Sequence, residues 1–375
     1  MTAPSFSLKD QLFNREKVTM VANEIQAVYP EFAYKEFIKT VITRFPELEL
    51  MERLYWLREC LQTFLPSEYR TAVGILIDSL PPPLDPDLTD ADFGDFVYGA
   101  YGNFVAVYGT TAKDVQFSLD ALKEMTKRFT CEYAIREFIN QFPGQTLQVF
   151  ATWSRDDNYH VRRLVSEGMR PKLPWGKNIT TAYTAPMQFL DILHSDHTRY
   201  VTRSVANHLN DISKIDPELV LNTLKKWQSL NQQSPKELDF IVRHSLRTLV
   251  RKGHPGALQL LGFMTANVST TLAIDTPAVT IGDSLEFSFT VTSKSTTTQR
   301  LLIDYILYFQ KASGTTAPKT YKITSTTLLP GETLAFTKKQ LLRVMTTRRL
   351  HVGTHQIELQ INGHKFGKHD FDLLH

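Results

Sequence analysis

Cysteine is scarce in this chain: two in 375 residues, Cys60 and Cys131. That is too few for a disulfide scaffold or a cysteine-based metal cluster, and it suits a reducing compartment. Long apolar runs are also missing, and none approaches the roughly 18 residues of a membrane span. Met1-Thr2-Ala3-Pro4-Ser5-Phe6 lacks the basic-then-apolar pattern of a secretory signal, so a cytoplasmic protein with no membrane partner is expected. There is no phosphate-binding glycine loop, dinucleotide fingerprint or nucleophile elbow. What is present is ordinary for a globular chain, with 42% apolar and 22% charged residues. The length exceeds what one compact core usually holds, so at least two structural units are expected.

The net charge of +3 conceals an uneven distribution. Residues 1–110 hold 9 Lys/Arg against 16 Asp/Glu, residues 111–266 hold 21 against 15, and residues 267–375 hold 12 against 8. An acidic head therefore precedes a basic remainder, a pattern that points towards a polyanionic partner for the last two-thirds.

Up to about residue 266 the pattern predicts helices. Glu47–Phe64 and Ser118–Phe129 place apolar residues three and four apart. Pro81-Pro82-Pro83 with Asp85-Pro86-Asp87 marks a loop. In Phe93–Tyr108, Gly94, Gly99, Gly102 and Gly109 argue against one regular helix. An internal repeat follows. Val161-Arg162-Arg163-Leu164-Val165 matches Val201-Thr202-Arg203-Ser204-Val205 and Ile241-Val242-Arg243-His244-Ser245, so Arg163, Arg203 and Arg243 recur every 40 residues. Each copy follows a helical stretch: Thr146–Ser154, Pro186–His194 and Pro217–Trp227. Two helices repeating at ~40 residues read as a HEAT-like solenoid. Glu132-Tyr133-Ala134-Ile135-Arg136 resembles an earlier, less regular copy.

After Phe263 the composition turns to Thr, Ser, Val and Ile. Strands are expected over Ser284–Thr292, Arg300–Gln310, Lys319–Thr326, Thr333–Lys338 and His355–Ile361, with Gly282-Asp283 and Pro330-Gly331 as turns and Asn362-Gly363 as a type I′ hairpin. About seven strands in this space point to an immunoglobulin-like sandwich. The fold expected is thus multidomain: an all-α HEAT-like helical-repeat solenoid over 1-266, then a small all-β immunoglobulin-like sandwich over 267-375.

Residues four apart share a helix face. The second helices of the repeat accordingly display polar columns: Arg128-Glu132-Arg136-Asn140, Arg163-Glu167, Arg203-Asn207-Asp211 and Arg243-Arg247-Arg251. Stacked, they would form one cationic surface containing a few carboxylates, suited to a nucleic-acid backbone. The plain alternative is a solvated face of intra-helix Arg–carboxylate pairs. Asp211 falls in the last helical turn, where the macrodipole disfavours a carboxylate, with Lys214 near enough to compensate. His194 and His197, with Asp191 and Asp196 nearby, match no strong metal-ligand spacing. No metal or other cofactor is expected. Trp153 and Trp227 are core candidates, whereas Trp175 follows Pro171 and Pro174 in a loop.

The string His160-Val161-Arg162-Arg163-Leu164-Val165-Ser166-Glu167-Gly168-Met169-Arg170-Pro171-Lys172-Leu173-Pro174-Trp175 resembles the hallmark of the AlkC branch of DNA alkylation-repair glycosylases. Arg203-Ser204-Val205-Ala206-Asn207-His208-Leu209-Asn210-Asp211-Ile212-Ser213-Lys214, Arg243-His244-Ser245-Leu246-Arg247-Thr248-Leu249 and Leu260-Leu261-Gly262-Phe263 are similar too. So are Leu8-Lys9-Asp10 and Phe13-Asn14 at the front, and Asp304-Tyr305 and Thr347-Arg348-Arg349 in the sandwich. The resemblance implies a monofunctional glycosylase that removes cationic bases, chiefly 3-methyladenine and 3-methylcytosine, from duplex DNA without drawing the base into a pocket. It places catalytic carboxylates at Glu132 and Asp211, with Asp157 and Glu167 as weaker candidates. Trp175 would face the lesion. Arg163, Arg203, Arg243, Arg247, Arg348 and Arg349 would contact DNA, and the protein would act as a monomer. Two other classes stay open: a non-catalytic HEAT-like DNA-binding relative, and a protein-interaction scaffold.

Overall fold

The computed structural model describes residues 7–88, 90, 93–344 and 349–375. Two compact units divide the chain, one of Met1–Ile212 with Trp227–His244 and the other of Ser213–Lys226 with Ser245–His375. The change from helix to strand comes elsewhere, between the helix Pro255–Leu260 and the strand that opens at Val268.

The first unit is built of paired helices. Its apolar stripes are fully buried, including Val161, Leu164 and Val165 in the helix Tyr159–Gly168 and Val201, Val205 and Leu209 in the helix Arg199–Ile212. Asn158 caps the first of these, accepting from the His160 amide at 2.9 Å. Pro217 and Pro235 open the helices Pro217–Leu230 and Pro235–Arg251, as expected of prolines in a first turn. The repeat helices at Arg163, Arg203 and Arg243 are therefore real elements at the expected spacing.

Neighbouring repeats are tied by polar bonds as well as by apolar packing. Arg162 donates to Asp196 and His208 Nδ1 to the Ser166 carbonyl at 3.0 Å, and the Ser166 and Ser204 hydroxyls pair at 2.9 Å. As expected, Phe93–Tyr108 is not one regular helix, though part of it is helical. After a short 3-10 turn, Gly99–Tyr108 is one α-helix. The glycines serve close packing there: a Cβ on Gly102 would sit 3.2 Å from Cys131 Sγ, and one on Gly109 would overlap the Tyr69 hydroxyl.

Among the described residues the second unit holds eight strands: β1 (Val268–Ile274), β2 (Ala278–Thr280), β3 (Ser284–Ser293), β4 (Gln299–Gln310), β5 (Thr316–Leu328), β6 (Thr333–Leu341), β7 (Gly353–Ile361) and β8 (His364–Leu374). They form two sheets, ordered β1-β3-β6 and β2-β8-β7-β4-β5, with only β2 and β8 paired in parallel among the described strands. β3 buries alternate residues, as a strand with one solvated face should. β4 is buried on both faces because Leu302 packs against Leu258 and Phe263 of the same unit. Asn362 and Gly363 both adopt positive φ (44° and 83°), the type I′ geometry. The Asn362 side chain also bonds the Met264 and Arg300 carbonyls and the Leu302 amide.

Asp304 lies on this covered face of β4. Burial pushes its carboxyl up to about 6, against a hydrogen bond from Gln360 and the nearby Lys322 and Arg251. The folded protein thus binds a proton that the unfolded chain releases near pH 3.8. Its stabilisation is full below that value and is lost as pH rises through 6. Asp304→Asn should raise the unfolding free energy at pH 7 by about 2 kcal/mol and change it little at pH 4. Urea denaturation at the two pH values checks this, and an equal gain at both would contradict it.

Candidate active site

Two proposed catalytic carboxylates, Glu132 and Asp211, are both buried, and they stand at opposite ends of one chain of charges. Arg163 Nη1 donates to Glu132 Oε2 at 2.9 Å, and Arg163 Nη2 lies 3.8 Å from Glu167 Oε2. Arg170 Nη1 donates to Glu167 Oε1 at 2.6 Å, and Arg170 Nε and Nη2 reach Asp211 Oδ2 at 2.9 and 2.8 Å. Three carboxylates alternate with two guanidiniums: Glu132, Arg163, Glu167, Arg170, Asp211. Hydroxyls complete the bonding, Thr130 on Glu132 at 2.8 Å and Ser204 on Glu167 at 2.6 Å.

Three segments supply these side chains. Glu132 sits in the turn before the helix Ile135–Gln141, Arg163 and Glu167 lie one turn apart on the Tyr159 helix, and Asp211 is in the last turn of the Arg199 helix. Arg170 follows the Tyr159 helix and precedes Pro171, which forces its backbone out of the helical region. It carries the positive charge facing Asp211. Spacing alone could have revealed Arg170, since it stands three residues after Glu167.

Burial opposes ionisation of Glu167, but Arg163 and Arg170, with the Ser204 hydroxyl, hold its carboxyl below the usual value. Burial also opposes the charge on Arg163, and Glu132 and Glu167 override it and raise its pKa. His208, buried behind the chain and close to Arg170, is pushed down to about 4 and is neutral at physiological pH.

Several expected positions need correction. Arg128 and Glu132 do not share a helical column with Arg136, because helix begins only at Ile135. Arg136 is fully buried and bonds backbone carbonyls. Arg163 is not presented on an open cationic face. Its guanidinium is committed to two carboxylates and lies 4.4 Å from the Tyr200 ring centroid, in place of the expected phosphate contact. His194 is core, stacked on Trp227 at 4.4 Å.

Other candidates remain at the surface. Arg203 is about one-third exposed and pairs with Asp90. Arg243 is more than half exposed and pairs with Asp239 on its own helix. Arg247 is half-buried in the second unit, and Arg349 is exposed. Arg348 lies outside the described residues. Asp157 is exposed before the Tyr159 helix, its carbonyl accepting from Arg162, and it takes no part in the charge chain.

Trp153 and Trp227 are core, as expected, whereas Trp175 is 65% exposed. Its φ of 60° puts a bulky side chain in the left-handed region, which costs about 1 kcal/mol or more. Trp175 borders a cleft of about 40 Å³ that Tyr55, Asn103, Thr130, Tyr133 and Ala134 also line, so the neighbours of Glu132 on both sides face it. That volume is far below the roughly 300–1,000 Å³ of small-molecule pockets.

A helical repeat with an immunoglobulin-like module after it is the class this fold defines. The family described as "Uncharacterised protein YhaZ, C-terminal Ig-like domain" matches residues 268–375. YhaZ of Bacillus subtilis (strain 168) is 33% identical over 369 residues, covering 97% of this chain and 98% of that protein. The alkylpurine DNA glycosylase AlkC of Pseudomonas fluorescens, solved bound to DNA containing an abasic site analogue, is 34% identical with a TM-score of 0.88. That match spans 99% of this chain and 100% of the other. The chain belongs to the family of YhaZ and AlkC.

A carboxyl held below its ordinary value stabilises the fold above that value, 4.5 here, and loses its contribution as pH falls through the folded value. Glu167→Gln should therefore be less stable than wild type at pH 7, with the gap narrowing below about pH 4.5. Urea unfolding from pH 3 to pH 7 checks this. A constant gap would show that ionised Glu167 does not support the fold.

Proposed function

We propose that this protein is a monofunctional DNA glycosylase that hydrolyses the N-glycosidic bond of cationic alkylated bases, chiefly 3-methyladenine and 3-methylcytosine, in duplex DNA. The observation that carries this reading is the end-to-end match to DNA-bound AlkC at 34% identity. The arrangement of Glu132, Asp211 and Trp175 supports it chemically.

An N3-alkylated base already bears positive charge and leaves without acid catalysis. What the enzyme must supply is stabilisation of the oxocarbenium-like sugar and an aligned water. Carboxylates in a water-poor site do this well, because their charge is set before the reaction starts, and one preorganised group is worth about 3–4 kcal/mol. Arg163 and Arg170 hold Glu132 and Asp211 in place. Trp175 offers a cationic lesion an aromatic face, an attraction of about 0.5–2 kcal/mol. The small volume of the cleft supports a reaction on a base that is not swallowed by a pocket.

In this reading residues 1-266 bind and cleave, Arg203 and Arg243 meet phosphates, and the sandwich contributes basic residues such as Arg349 to the same duplex. A non-catalytic DNA-binding relative is the second reading. It is favoured by the same ion pairs, since each carboxylate already has a structural partner.

Release of methylated base from alkylated duplex DNA decides between them. Glu132→Gln and Asp211→Asn should each slow release by ~10²-fold while leaving duplex binding largely intact. Normal release by both variants would remove these residues from catalysis, and no release by wild type would leave the passive binder. Arg203→Ala and Arg243→Ala should each lower the slope of log affinity against log salt by about one unit, for every duplex sequence alike. Unchanged slopes would return both to ordinary surface ion pairs.

A further inference from the structure

Arg136 is fully buried, yet among the described residues no carboxylate bonds it. Its guanidinium grips three backbone carbonyls instead. Nη1 donates to the Gly168 and Arg170 carbonyls at 2.8 and 3.0 Å, and Nε donates to the Lys177 carbonyl. The first two lie at the end of the Tyr159 helix, where carbonyls lack helical partners and the helix dipole favours a cation. The third lies beyond Trp175. One side chain thus closes a loop by holding its entry at Arg170 and its exit at Lys177.

The approach that permits this depends on Gly168. A Cβ there would come within 2.6 Å of Ile135 Cγ2, so any larger residue would push the two helices apart. One turn along from Arg136, Asn140 holds the irregular segment leaving the loop, donating to the Asn178 carbonyl at 3.0 Å and accepting from the Thr180 amide at 2.9 Å. Glu137 adds an ion pair to Lys177 at 2.5 Å. Inside the loop, Leu173 is buried and Trp175 is turned outward at positive φ. Burying a cation among carbonyls alone is expensive. Burial, with Arg170 alongside, lowers its pKa to about 10, so the charge survives at neutral pH. Such an arrangement persists where the geometry it imposes matters.

We infer that Arg136 is a positioning residue for the proposed site: by clamping both ends of the 170–177 loop it fixes Arg170 against Glu167 and Asp211, and Trp175 beside the cleft next to Glu132. The inference rests on the glycosylase reading for its catalytic consequence, but not for its structural one. A lysine keeps the charge yet presents a point ammonium that cannot span carbonyls on two sides.

The test uses Arg136→Lys and the gentler, half-buried Asn140→Ala, each compared with the same protein carrying Trp175→Phe, so that Trp175 fluorescence is obtained by difference from the other three tryptophans. Both variants should show increased acrylamide quenching of Trp175. Both should release 3-methyladenine about tenfold or more slowly at saturating DNA, with affinity for undamaged duplex unchanged. If Arg136→Lys fails to fold, Asn140→Ala decides alone. Wild-type quenching together with the wild-type rate would overturn the inference. Should wild-type protein release no methylated base, the glycosylase reading fails, and the quenching comparison still shows whether the clamp orders Trp175.

Discussion

The structure depends on a buried alternation of charge, Glu132, Arg163, Glu167, Arg170 and Asp211, in which every arginine is shared by two carboxylates. Removing one partner from such a chain strands a charge away from water, which costs about 3–5 kcal/mol. The chain therefore locks the relative placement of three segments that apolar packing alone would leave free to slide. The turn at Glu132, the Tyr159 helix and the end of the Arg199 helix are held in one register. Serine–serine and histidine–carbonyl bonds behind the chain reinforce that register without adding charge.

The same alternation makes the carboxylates chemically useful. A lone buried carboxylate takes up a proton. Glu167, flanked by Arg163 and Arg170, stays charged despite its burial, in a low-dielectric setting where charges act most strongly on one another. Stability and reactivity thus come from one arrangement, and the strained Trp175 loop is attached directly to it through Arg170.

Much of this was legible in the residues, for identifiable reasons. Arginine recurring at 163, 203 and 243 marked the repeat because each falls on the second helix of its unit at a constant 40-residue spacing. Asn362-Gly363 marked the hairpin because its turn demands positive φ at both positions. Pro171 and Pro174 marked Trp175 as a loop residue. β1 escaped notice because the run Ser269-Thr270-Thr271 lowers its apolar content, and β2 because three residues carry no period. The helix Gly99–Tyr108 was hidden by glycines that serve packing rather than turning. Helical spacing identified which polar residues share a face. It could not tell whether that face meets water or another helix, so Arg163 and Arg136 were read as surface cations. Arg170 could be paired with Glu167 by spacing, but its bond to Asp211, 41 residues away, could not be read from the sequence.

The central claim is that Glu132 and Asp211 act as the two ends of one connected unit. A double-mutant cycle on single-turnover release of 3-methyladenine tests it directly, using Glu132→Gln, Asp211→Asn and the combined variant. Groups that act as a unit lose most of their effect on the first removal, so the combined variant should be little slower than the slower single one. Rate losses that simply multiply would mean that the two carboxylates act independently and that the charge chain between them is structural alone.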